Sequence, residues 1–323
     1  MSKKKLVSGI QATGRLHIGN YLGAMRQFVE LQDEYDAHIF VANYHSLTTV
    51  QDRDLLEKQT MDVVLDYLAI GLDPEKVTLY TQTSVPQLFE LTWIFNTLVT
   101  VPWLERAHAF KDKSAKGVEA SVGLFDYPVL QAADIVLPGA DVVPVGEDQR
   151  QHIEMAREIV RKFNTTFGAT FIEPQELIRD DVAVVPGTDG EKMSKSYHNT
   201  IPLFGTDDEI KKAVMGIVTD SAAPDEPKKP DEVIMYQIYK LVASTEKSEA
   251  MQESLEKGGL GYGDAKKMLL EAILEMITPM RERREEYEKN MDAVHDILKQ
   301  GGEKMSALAE EKMKEVRLQA GLI

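Results

Sequence analysis

The first half of this chain alternates short apolar, β-branched runs with longer stretches of helical spacing. Residues 38–43, Val77–Gln82 and Asp141–Val145 have the pattern of strands. Asp54–Ile70 has the spacing of a helix, and Gly71 follows it as a stop signal. Strand, helix and strand in this order predict a parallel sheet with right-handed crossovers, in which ligands bind at the carboxyl ends of the strands.

The second half has a different pattern, because the strand-like runs stop at about residue 200. Helical spacing marks Asp207–Val218, Asp231–Ala243, Lys247–Lys257, Gly263–Asn290 and, at the end, Glu303–Ala320. The predicted fold class is therefore α/β, with a Rossmann-like parallel-sheet domain over residues 1–200 and an all-helical domain over residues 201–300. We expect the helix within residues 301–323 to pack back on the body.

Composition and charge exclude several kinds of site and binding partner. The 323 residues include no cysteine, which excludes disulfides, thiolate zinc sites and iron–sulfur clusters and fits a reducing, cytoplasmic location. No apolar run reaches the roughly 18 residues that cross a bilayer, so we expect no membrane partner. The net charge of -16 argues against a broad nucleic-acid surface, and an RNA partner would need a local basic patch.

The densest basic cluster of the helical half consists of Arg281, Arg283 and Arg284. These arginines alternate with Glu282 and Glu285, so the cluster fits a salt-bridged helix face as well as an RNA contact. We favour the salt-bridged interpretation.

A first phosphate-handling motif lies in Ser8–Asn20, between the first strand and a helix predicted to run to Gln32. The free N–H groups and the dipole of a helix N-terminus attract anions. Glycines allow a tight turn, His17 can donate a hydrogen bond to a phosphate oxygen, and Gly19 leaves room for an adenine ring. The alternative is an ordinary strand–turn–helix connection with a histidine on the surface.

A second motif, Pro186–Ser196, combines two glycines with the string Lys-Met-Ser-Lys-Ser. Lys192 and Lys195 are compact cations that can bind pyrophosphate as negative charge develops on it. Judged by composition alone, a lysine pair in a glycine-rich loop is simply solvated. The specific string favours the phosphate-binding interpretation.

Together, His-Ile-Gly-Asn at 17–20 and Lys-Met-Ser-Lys-Ser at 192–196 resemble the paired signature of class I aminoacyl-tRNA synthetases. The asparagine departs from the commonest form of the first motif. Larger stretches are similar to bacterial tryptophanyl-tRNA synthetases, namely Gly9–Leu31, Tyr127–Ile135, Val143–Arg157 and Pro186–Ser196. The resemblance covers residues 5–200 and continues, less distinctively, through the helical part.

This resemblance implies an enzyme that activates L-tryptophan with ATP and transfers it from the adenylate to the 3′ end of tRNA(Trp). It implies Mg²⁺ bound with ATP and a homodimer whose helical domain serves the anticodon side of the tRNA. Some tryptophan enzymes hold an iron–sulfur cluster on cysteines, but this chain has none, so we expect no zinc, no iron–sulfur cluster and no protein-bound metal. His17, Lys192 and Lys195 would be catalytic. Because the substrate carboxylate is already ionised at neutral pH, no general base is required. Lys111 and Lys113 could add to the pyrophosphate site or belong to a solvated helix end.

The resemblance also implies an ATP site built from both motifs and from the loop after the strand at Asp141–Val145. The first motif and that loop would contribute Gln11, Ala12, Thr13, Gly19, Asn20, Gly146, Glu147 and Asp148. The second motif and the residue before it would contribute Val185, Lys192, Met193, Ser194, Lys195 and Ser196.

An amino-acid pocket is predicted on one helix face, because Tyr127, Gln131 and Asp134 are at positions i, i+4 and i+7. An indole N–H is a donor only, and a buried carboxylate at Asp134 is a good acceptor for it. Val7 on the first strand and Val145 on a later one would supply apolar walls. By position in the family, Gln11, His45, Tyr127 and Gln149 lie around the substrate.

Three alternatives remain. Tyr127, Gln131 and Asp134 also resemble the tyrosine-specific enzymes, and many tryptophan enzymes carry methionine in place of Gln131. However, Val7 stands where the tyrosine enzymes place a second hydrogen-bonding partner for the phenol. A pantothenate synthetase-like adenylyltransferase would share only the first motif, and a non-catalytic tryptophan-binding paralogue would not need both lysines.

Overall fold

The computed structural model describes residues 3–106, 121–146, 149–178 and 184–323. At their centre is a five-stranded sheet in the order β3–β2–β1–β4–β5, in which all neighbouring strands are parallel. The strands are β1 Lys5–Ile10, β2 Asp36–Val41, β3 Thr78–Thr81, β4 Val142–Pro144 and β5 Gln175–Leu177. The predicted parallel sheet is confirmed. Strand β5 was not predicted, because its sequence Gln-Glu-Leu has no apolar pattern.

The described helices are α1 Ile18–Asn20, α2 Arg26–Leu31, α3 Asn43–Ser46, α4 Arg53–Ile70, α5 Gln87–Asn96, α6 Val101–Leu104, α7 Val122–Val136, α8 Arg150–Phe167, α9 Asp207–Met215, α10 Ile234–Val242, α11 Thr245–Lys257, α12 Tyr262–Glu288 and α13 Met291–Gln319. A π-helical turn, Tyr21–Met25, joins α1 to α2. Within these ranges, no helix is both long enough and apolar enough to cross a lipid bilayer.

Helix α4 shows how local signals set the boundaries of an element. At its start the carboxylate of Asp52 accepts a hydrogen bond from the backbone N–H of Leu55 at 2.8 Å. At its end Gly71 adopts φ 109°, a left-handed conformation that a residue without Cβ tolerates at low cost. The predicted helix Asp54–Ile70 therefore differs from the observed one by a single residue.

Several other boundaries differ from the prediction; for example, α9 ends at Met215 rather than at Val218, and α10 begins at Ile234 rather than at Asp231. Strand β2 ends at Val41 rather than at residue 43, because the backbone turns at Ala42 into α3. Helix α13 begins at Met291 rather than at residue 303, and it contains Gly301 in its interior. A Cβ at Gly301 would overlap the carbonyl oxygen of Leu79, so this glycine allows close packing on β3 and does not end the helix.

Alternate strand residues supply two apolar clusters, one on each face of the sheet. The first contains Leu6 and continues through Ile201 into α9, α10, α11 and α12. The second contains Val7 and packs against α5, α7, α8 and the buried face of α13. Because the first cluster continues across residue 200, apolar burial joins the sheet to the helical half. The division into residues 1–200, 201–300 and 301–323 stays a prediction.

The three arginines of the basic cluster are bound within the protein. Arg281 donates to Asp207 at 2.6 Å, Arg283 to the carbonyl of Ala69 at 2.8 Å, and Arg284 to Asp66 at 2.9 Å. Burial raises the pKa of Asp66 to about 6, which Arg284 partly offsets. The structure therefore agrees with the salt-bridged interpretation, and these contacts tie α12 to α4.

Candidate active site

The strand order reverses at β1, since β2 and β3 lie on one side of it and β4 and β5 on the other. Beside the carboxyl ends of these strands lies a cavity of about 410 Å³. Its size is typical of small-molecule sites. It is lined by Gly9, Gln11, Phe40, Ala42, His45, Thr48, Thr49, Leu124, Tyr127, Gln131, Asp134, Gln149 and His152.

A larger cavity, of about 530 Å³, lies near the opposite end of the sheet, beside Lys5 at the start of β1. The loops before β4 and β5 form part of its wall, and the charged face of α13 forms the rest. Of the described residues predicted to act on substrates, none lines it. The positions of the predicted substrate residues therefore identify the smaller cavity, not the larger one, as the candidate active site.

Asp134 is the buried acid of the smaller cavity. Its two carboxylate oxygens each lie 2.9 Å from Nε2 of Gln82, which donates to them, and Nε2 of His45 is 2.8 Å from Oδ2. Burial raises the pKa of Asp134, while the hydrogen bonds from His45 and Gln82 act in the opposite direction. Because Asp134 is buried and little solvated by water, these hydrogen bonds stabilise its carboxylate.

Gln82 was missed by the sequence analysis, although a signal for it existed. It is the last residue of the predicted strand Val77–Gln82, and parallel sheets bind ligands at the carboxyl ends of their strands. In the structure it is fully buried in the turn that follows β3.

Polar side chains on the other wall are linked to one another. The hydroxyl of Tyr127 lies 2.7 Å from Nε2 of His152, and Nδ1 of that histidine lies 3.0 Å from Oε1 of Gln149. Burial raises the pKa of Tyr127 to about 12, so this phenol stays protonated at neutral pH. Together with Gln131 on the same helix, these groups give the cavity a polar side.

The two predicted apolar walls lie elsewhere. Val7 is fully buried in the second apolar cluster, and Val145 packs half-buried against that cluster. Neither residue lines the cavity, whose apolar lining comes from Phe40, Ala42 and Leu124. Val7 lies two residues before Gly9 on the same face of β1, so its side chain falls below the cavity and within the core.

The first motif forms the N-terminus of α1. Oδ1 of Asn20 accepts a hydrogen bond from the backbone N–H of His17 at 3.1 Å, so the unusual asparagine stabilises the turn. Burial and the nearby Lys195 lower the pKa of His17 to about 4, so its imidazole is neutral at pH 7. A Cβ at Gly19 would lie 2.9 Å from Nδ1 of His17 and 3.2 Å from Cβ of Met193. Glycine at 19 therefore lets both motifs pack against each other.

Backbone hydrogen bonds join the first motif to the segment that follows the second. The N–H of Ile18 donates to the carbonyl of Ile201 at 2.9 Å, and the N–H of Leu203 donates to that of Leu16 at 3.0 Å. The side chain of Lys195 crosses the same gap and donates to the first motif. Lys192 lies on the same loop with an exposed side chain. The structure thus brings together two segments that are far apart in the chain.

Asn199 organises the second motif and was not singled out from the sequence. Its Oδ1 accepts from the N–H of Ser194 at 2.8 Å, and its Nδ2 donates to Asp189 at 2.8 Å and to the carbonyl of Lys192 at 3.2 Å. A Cβ at Gly187 would overlap this buried amide. The glycine therefore makes room for the asparagine that fixes the lysine-bearing loop.

The remaining predicted ATP-site residues have mixed positions. The N–H of Ala12 donates to Oγ of Ser46 at 2.8 Å, and the N–H of Met193 donates to the carbonyl of Val185 at 2.9 Å. Thr13 and Gly146 are half-buried, and Ser196 is exposed. The predicted residues outside the described ranges are Glu147, Asp148, Lys111 and Lys113. Among the residues that are described, no group of three or more His, Asp or Glu side chains could hold a metal ion.

Comparison with known sequences gives a consistent result along the whole chain. Residues 2–278 match the family described as tRNA synthetases class I (W and Y). The tryptophan–tRNA ligase of Fusobacterium nucleatum subsp. nucleatum is 51% identical over 321 residues, which are 99% of this chain and 98% of that protein. The tryptophan–tRNA ligase of Rhodopirellula baltica is 46% identical, over 98% of this chain and 99% of that protein.

Solved structures agree. The tryptophanyl-tRNA synthetase of Campylobacter jejuni complexed with ADP and tryptophan superposes with a TM-score of 0.91 at 41% identity, over 98% of this chain and 99% of that one. The tryptophanyl-tRNA synthetase of Mycoplasma pneumoniae superposes with a TM-score of 0.85 at 27% identity, over 99% of this chain and 98% of that one. The fold therefore matches over nearly the full length of both chains.

Proposed function

The chain belongs to the class I tRNA synthetases of the tryptophan and tyrosine family, and from this premise we propose how its residues carry out the reaction. Its activity is that of a tryptophan–tRNA ligase, which activates L-tryptophan with ATP and transfers it to the 3′ end of tRNA(Trp). AMP and pyrophosphate are released. The buried carboxylate of Asp134, facing a cavity at the switch point of the sheet, is the observation that supports tryptophan as the ligand of this site.

In the proposed complex, Asp134 accepts the indole N–H. The ring lies against Phe40, Ala42 and Leu124, because these residues are the apolar part of the lining. The polar wall of Tyr127, Gln131 and Gln149, with His45 and Gln11 nearby, then faces the ammonium and carboxylate groups of the amino acid. Val7 and Val145 support this site from the core without touching the ring.

Val7 also weighs against a tyrosine-specific enzyme. A phenol oxygen both donates and accepts, and a site that recognises it needs partners for both roles. Val7 has no hydrogen-bonding group and is fully buried, so it cannot be the second phenol partner that the tyrosine enzymes supply from this position. A non-catalytic paralogue is disfavoured too, since a tryptophan-binding protein would need neither lysine of the second motif.

The activation step needs no general base, because the attacking carboxylate is already ionised. A tryptophan carboxylate oxygen bonds to the α-phosphorus of ATP, and the bond to the bridging oxygen of pyrophosphate breaks. The neutral imidazole of His17 and the N-terminus of α1 would bind phosphate oxygens without adding a full charge. Lys195 and Lys192 would stabilise the charge that grows on pyrophosphate.

Glu147, Asp148, Lys111 and Lys113 enter this proposal by their resemblance to the family. The first two would belong to the ATP site and the two lysines to the pyrophosphate site. Mg²⁺ would arrive with ATP and take most of its ligands from phosphate oxygens and water, as this ion prefers. Its charge would help to offset that of the phosphates, while the contribution of the chain is to orient them.

A homodimer is part of the proposal, and an apolar surface supports it. The surface comprises Phe89, Trp93, Val101 and Val122, which are 48%, 72%, 60% and 81% exposed. Phe89 and Trp93 are one turn apart on α5, and Tyr44 stacks edge-on against Phe89 with ring centres 4.6 Å apart. Exposed aromatic residues one turn apart on a helix are typical of protein–protein contacts. We call these four residues the α5 surface.

The remaining parts of the proposal concern location and RNA. The helices over residues 201–300 would serve the anticodon side of tRNA(Trp), and the helix within 301–323 would support the catalytic unit. Because tRNA is the second substrate, we place the protein in the cytoplasm.

Amino-acid-dependent exchange between ATP and pyrophosphate tests the function directly. Tryptophan and tyrosine should be assayed in parallel at matched concentrations. Exchange with tryptophan alone is the expected result. Exchange with tyrosine would overturn the assignment of the pocket, and exchange with neither, in a protein that still binds tryptophan, would favour the non-catalytic paralogue.

A further inference from the structure

Gln82 connects three elements behind the cavity. Its Nε2 donates to both oxygens of Asp134 on α7, at 2.9 Å to each. Its Oε1 accepts from the backbone N–H groups of Tyr44 at 3.0 Å and His45 at 3.3 Å, at the start of α3. The amide thus binds on both sides, and its side chain is fully buried.

The orientation of this amide is fixed by its surroundings. Two backbone N–H groups face one end of it, and an N–H group can only donate. The oxygen must therefore be at that end, which leaves the NH₂ group directed at Asp134. A rotated amide would place donors against donors at α3 and an acceptor against a carboxylate at α7, losing hydrogen bonds on both sides.

We propose that Gln82 is a positioning residue that sets the specificity of the site for tryptophan by holding Asp134 as an ionised, acceptor-only partner. This inference rests on the proposed role of Asp134 as the acceptor of the indole N–H. Gln82 itself need not contact the substrate, since it is not among the residues that line the cavity.

The reason lies in the match between donors and acceptors. Nε2 of Gln82 lies 2.9 Å from both carboxylate oxygens, a geometry in which one N–H is shared between them, and Gln82 does not line the cavity, so it offers no donor to a ligand there. His45 contacts Oδ2 only, so Oδ1 keeps the greater free acceptor capacity. An indole N–H needs one acceptor and nothing else. The phenol of tyrosine also has an oxygen that accepts hydrogen bonds, and Asp134 offers it no donor. Burying that oxygen unpaired would weaken the binding of tyrosine.

The ionisation of Asp134 depends on few groups. Among the described residues, two titratable side chains interact with Asp134: His45 from α3 and, across the core, Tyr80 from β3. Burial raises the pKa of Tyr80, and the charge of Asp134 raises it further. Gln82 supplies hydrogen bonds without charge, so it favours the ionised carboxylate at every pH at which the protein is folded.

The first test is Gln82→Met, which keeps the length of the side chain and removes all four hydrogen bonds. In ATP–pyrophosphate exchange, KM for tryptophan should rise about 10- to 100-fold, the size expected for hydrogen bonds to a charged group. KM for ATP should stay within about threefold, and the preference for tryptophan over tyrosine in kcat/KM should fall at least about tenfold. An unchanged KM for tryptophan in a folded variant would overturn the proposal.

Gln32→Met is the matched control. Gln32 is also buried, and its amide bridges the N–H of Asp73 at 2.9 Å and the carbonyl of Gly71 at 3.2 Å, at the other end of the sheet. Gln32→Met should leave KM for tryptophan unchanged, and an equal rise in both variants would mean that any buried amide has this effect.

Asp134→Asn separates the role of Gln82 from that of Asp134. If it does not affect tryptophan binding, the proposed role of Asp134 fails. If it does and Gln82→Met does not, only the role of Gln82 fails.

Gln82→Glu decides the question even if the methionine variant does not fold. The new carboxyl group keeps acceptors for Tyr44 and His45 but faces the carboxylate of Asp134. Such a pair shares one proton at low pH and becomes doubly charged as pH rises. KM for tryptophan should therefore increase between about pH 6 and about pH 9 in this variant, and much less in the wild type. Parallel profiles in the two proteins would overturn the proposal.

Discussion

The ammonium group of Lys195 donates to the carbonyl oxygen of Thr13 at 2.7 Å, so the second motif is bound to the first before any phosphate is present. A second bond, to the carbonyl of Gly14 at 2.9 Å, uses another of its hydrogens. Burial lowers the pKa of Lys195, and two carbonyl dipoles help to hold its charge. The cation is thus placed beside the turn where phosphate oxygens, as stronger acceptors, would replace the carbonyls.

Lys195→Ala should therefore impair chemistry more than binding. Since the ammonium group would act on charge that develops in the transition state, kcat for adenylate formation should fall about 100-fold or more. KM for tryptophan should change by less than about threefold, because the amino-acid cavity is built from other residues.

Steady-state ATP–pyrophosphate exchange gives both constants. Lys314→Ala on α13 is the control, since it removes an exposed lysine that pairs with Glu311 and lines the larger cavity near the opposite end of the sheet. A rise in KM as large as the loss in kcat, or no loss at all, would rule out the transition-state role of Lys195.

Asp134→Asn should weaken tryptophan binding while leaving ATP binding nearly intact. The new amide loses the charge and presents an NH₂ group to donors at His45 or Gln82. We expect KM for tryptophan to rise about 10- to 100-fold. Asp126→Asn on the same helix is the control, because that half-buried carboxylate binds Asn96 at 2.8 Å and does not line the cavity. A parallel loss of tryptophan binding and ATP binding would indicate a folding defect instead.

Local patterns were sufficient to predict much of the fold. The short apolar runs of β1 and β2, the glycine after α4, and the spacing of α7 each depend on neighbours within a few residues. The same is true of the two motifs, whose residues are adjacent in the chain. Such features can be inferred from the sequence because the forces that create them act over one or two turns.

Long-range contacts could not be predicted in the same way. Gln82 binds Asp134 across 52 positions of sequence, and nothing near either residue indicates that they meet. The last helix was predicted to begin only at Glu303, because the contact that makes Gly301 suitable inside α13 forms only once α13 lies on β3. Val7 was predicted as an apolar wall of the pocket from its place on the first strand, but its depth in the core depends on how far β1 extends before the cavity opens.

His17 should make stability depend on pH in a specific direction. Its pKa of about 4 in the folded protein lies below the ordinary 6.5, so the unfolded chain binds the proton more readily. The stability gained from a neutral His17 is fully present above about pH 6.5 and is lost as pH falls toward 4.

Replacement by glutamine removes this titration. Between about pH 7.5 and pH 5, the wild type should lose about 1–2 kcal/mol more unfolding free energy than His17→Gln, as measured by urea denaturation. Asp66 and Asp134 titrate in both proteins, so their contributions cancel in the difference. Equal losses would show that His17 is not held neutral by the fold.

Gly301→Ala tests the packing of α13 on β3. Although alanine favours helices, its Cβ would overlap the carbonyl oxygen of Leu79, and the backbone carrying that oxygen cannot move without disturbing the sheet. We expect a loss of about 1–3 kcal/mol in the free energy of unfolding. Gly263→Ala in α12 is the control, since a Cβ there meets nothing within 4 Å, and it should be neutral or stabilising. Similar effects at both glycines would contradict the close contact.

Trp93→Asp tests the α5 surface as the homodimer interface. Trp93 is 72% exposed and lies one turn from Phe89, so in a dimer its ring would be buried near the centre of the contact. Aromatic residues in such positions often contribute at least about 2 kcal/mol to association, and a buried unpaired carboxylate would add a further penalty. Sedimentation analysis should therefore show the wild type as a dimer and the variant at the monomer mass of 36.2 kDa. Leu318→Asp replaces a residue that is 65% exposed on α13, outside the α5 surface, and should remain dimeric. If Trp93→Asp still sediments as a dimer, the chains associate through a different surface.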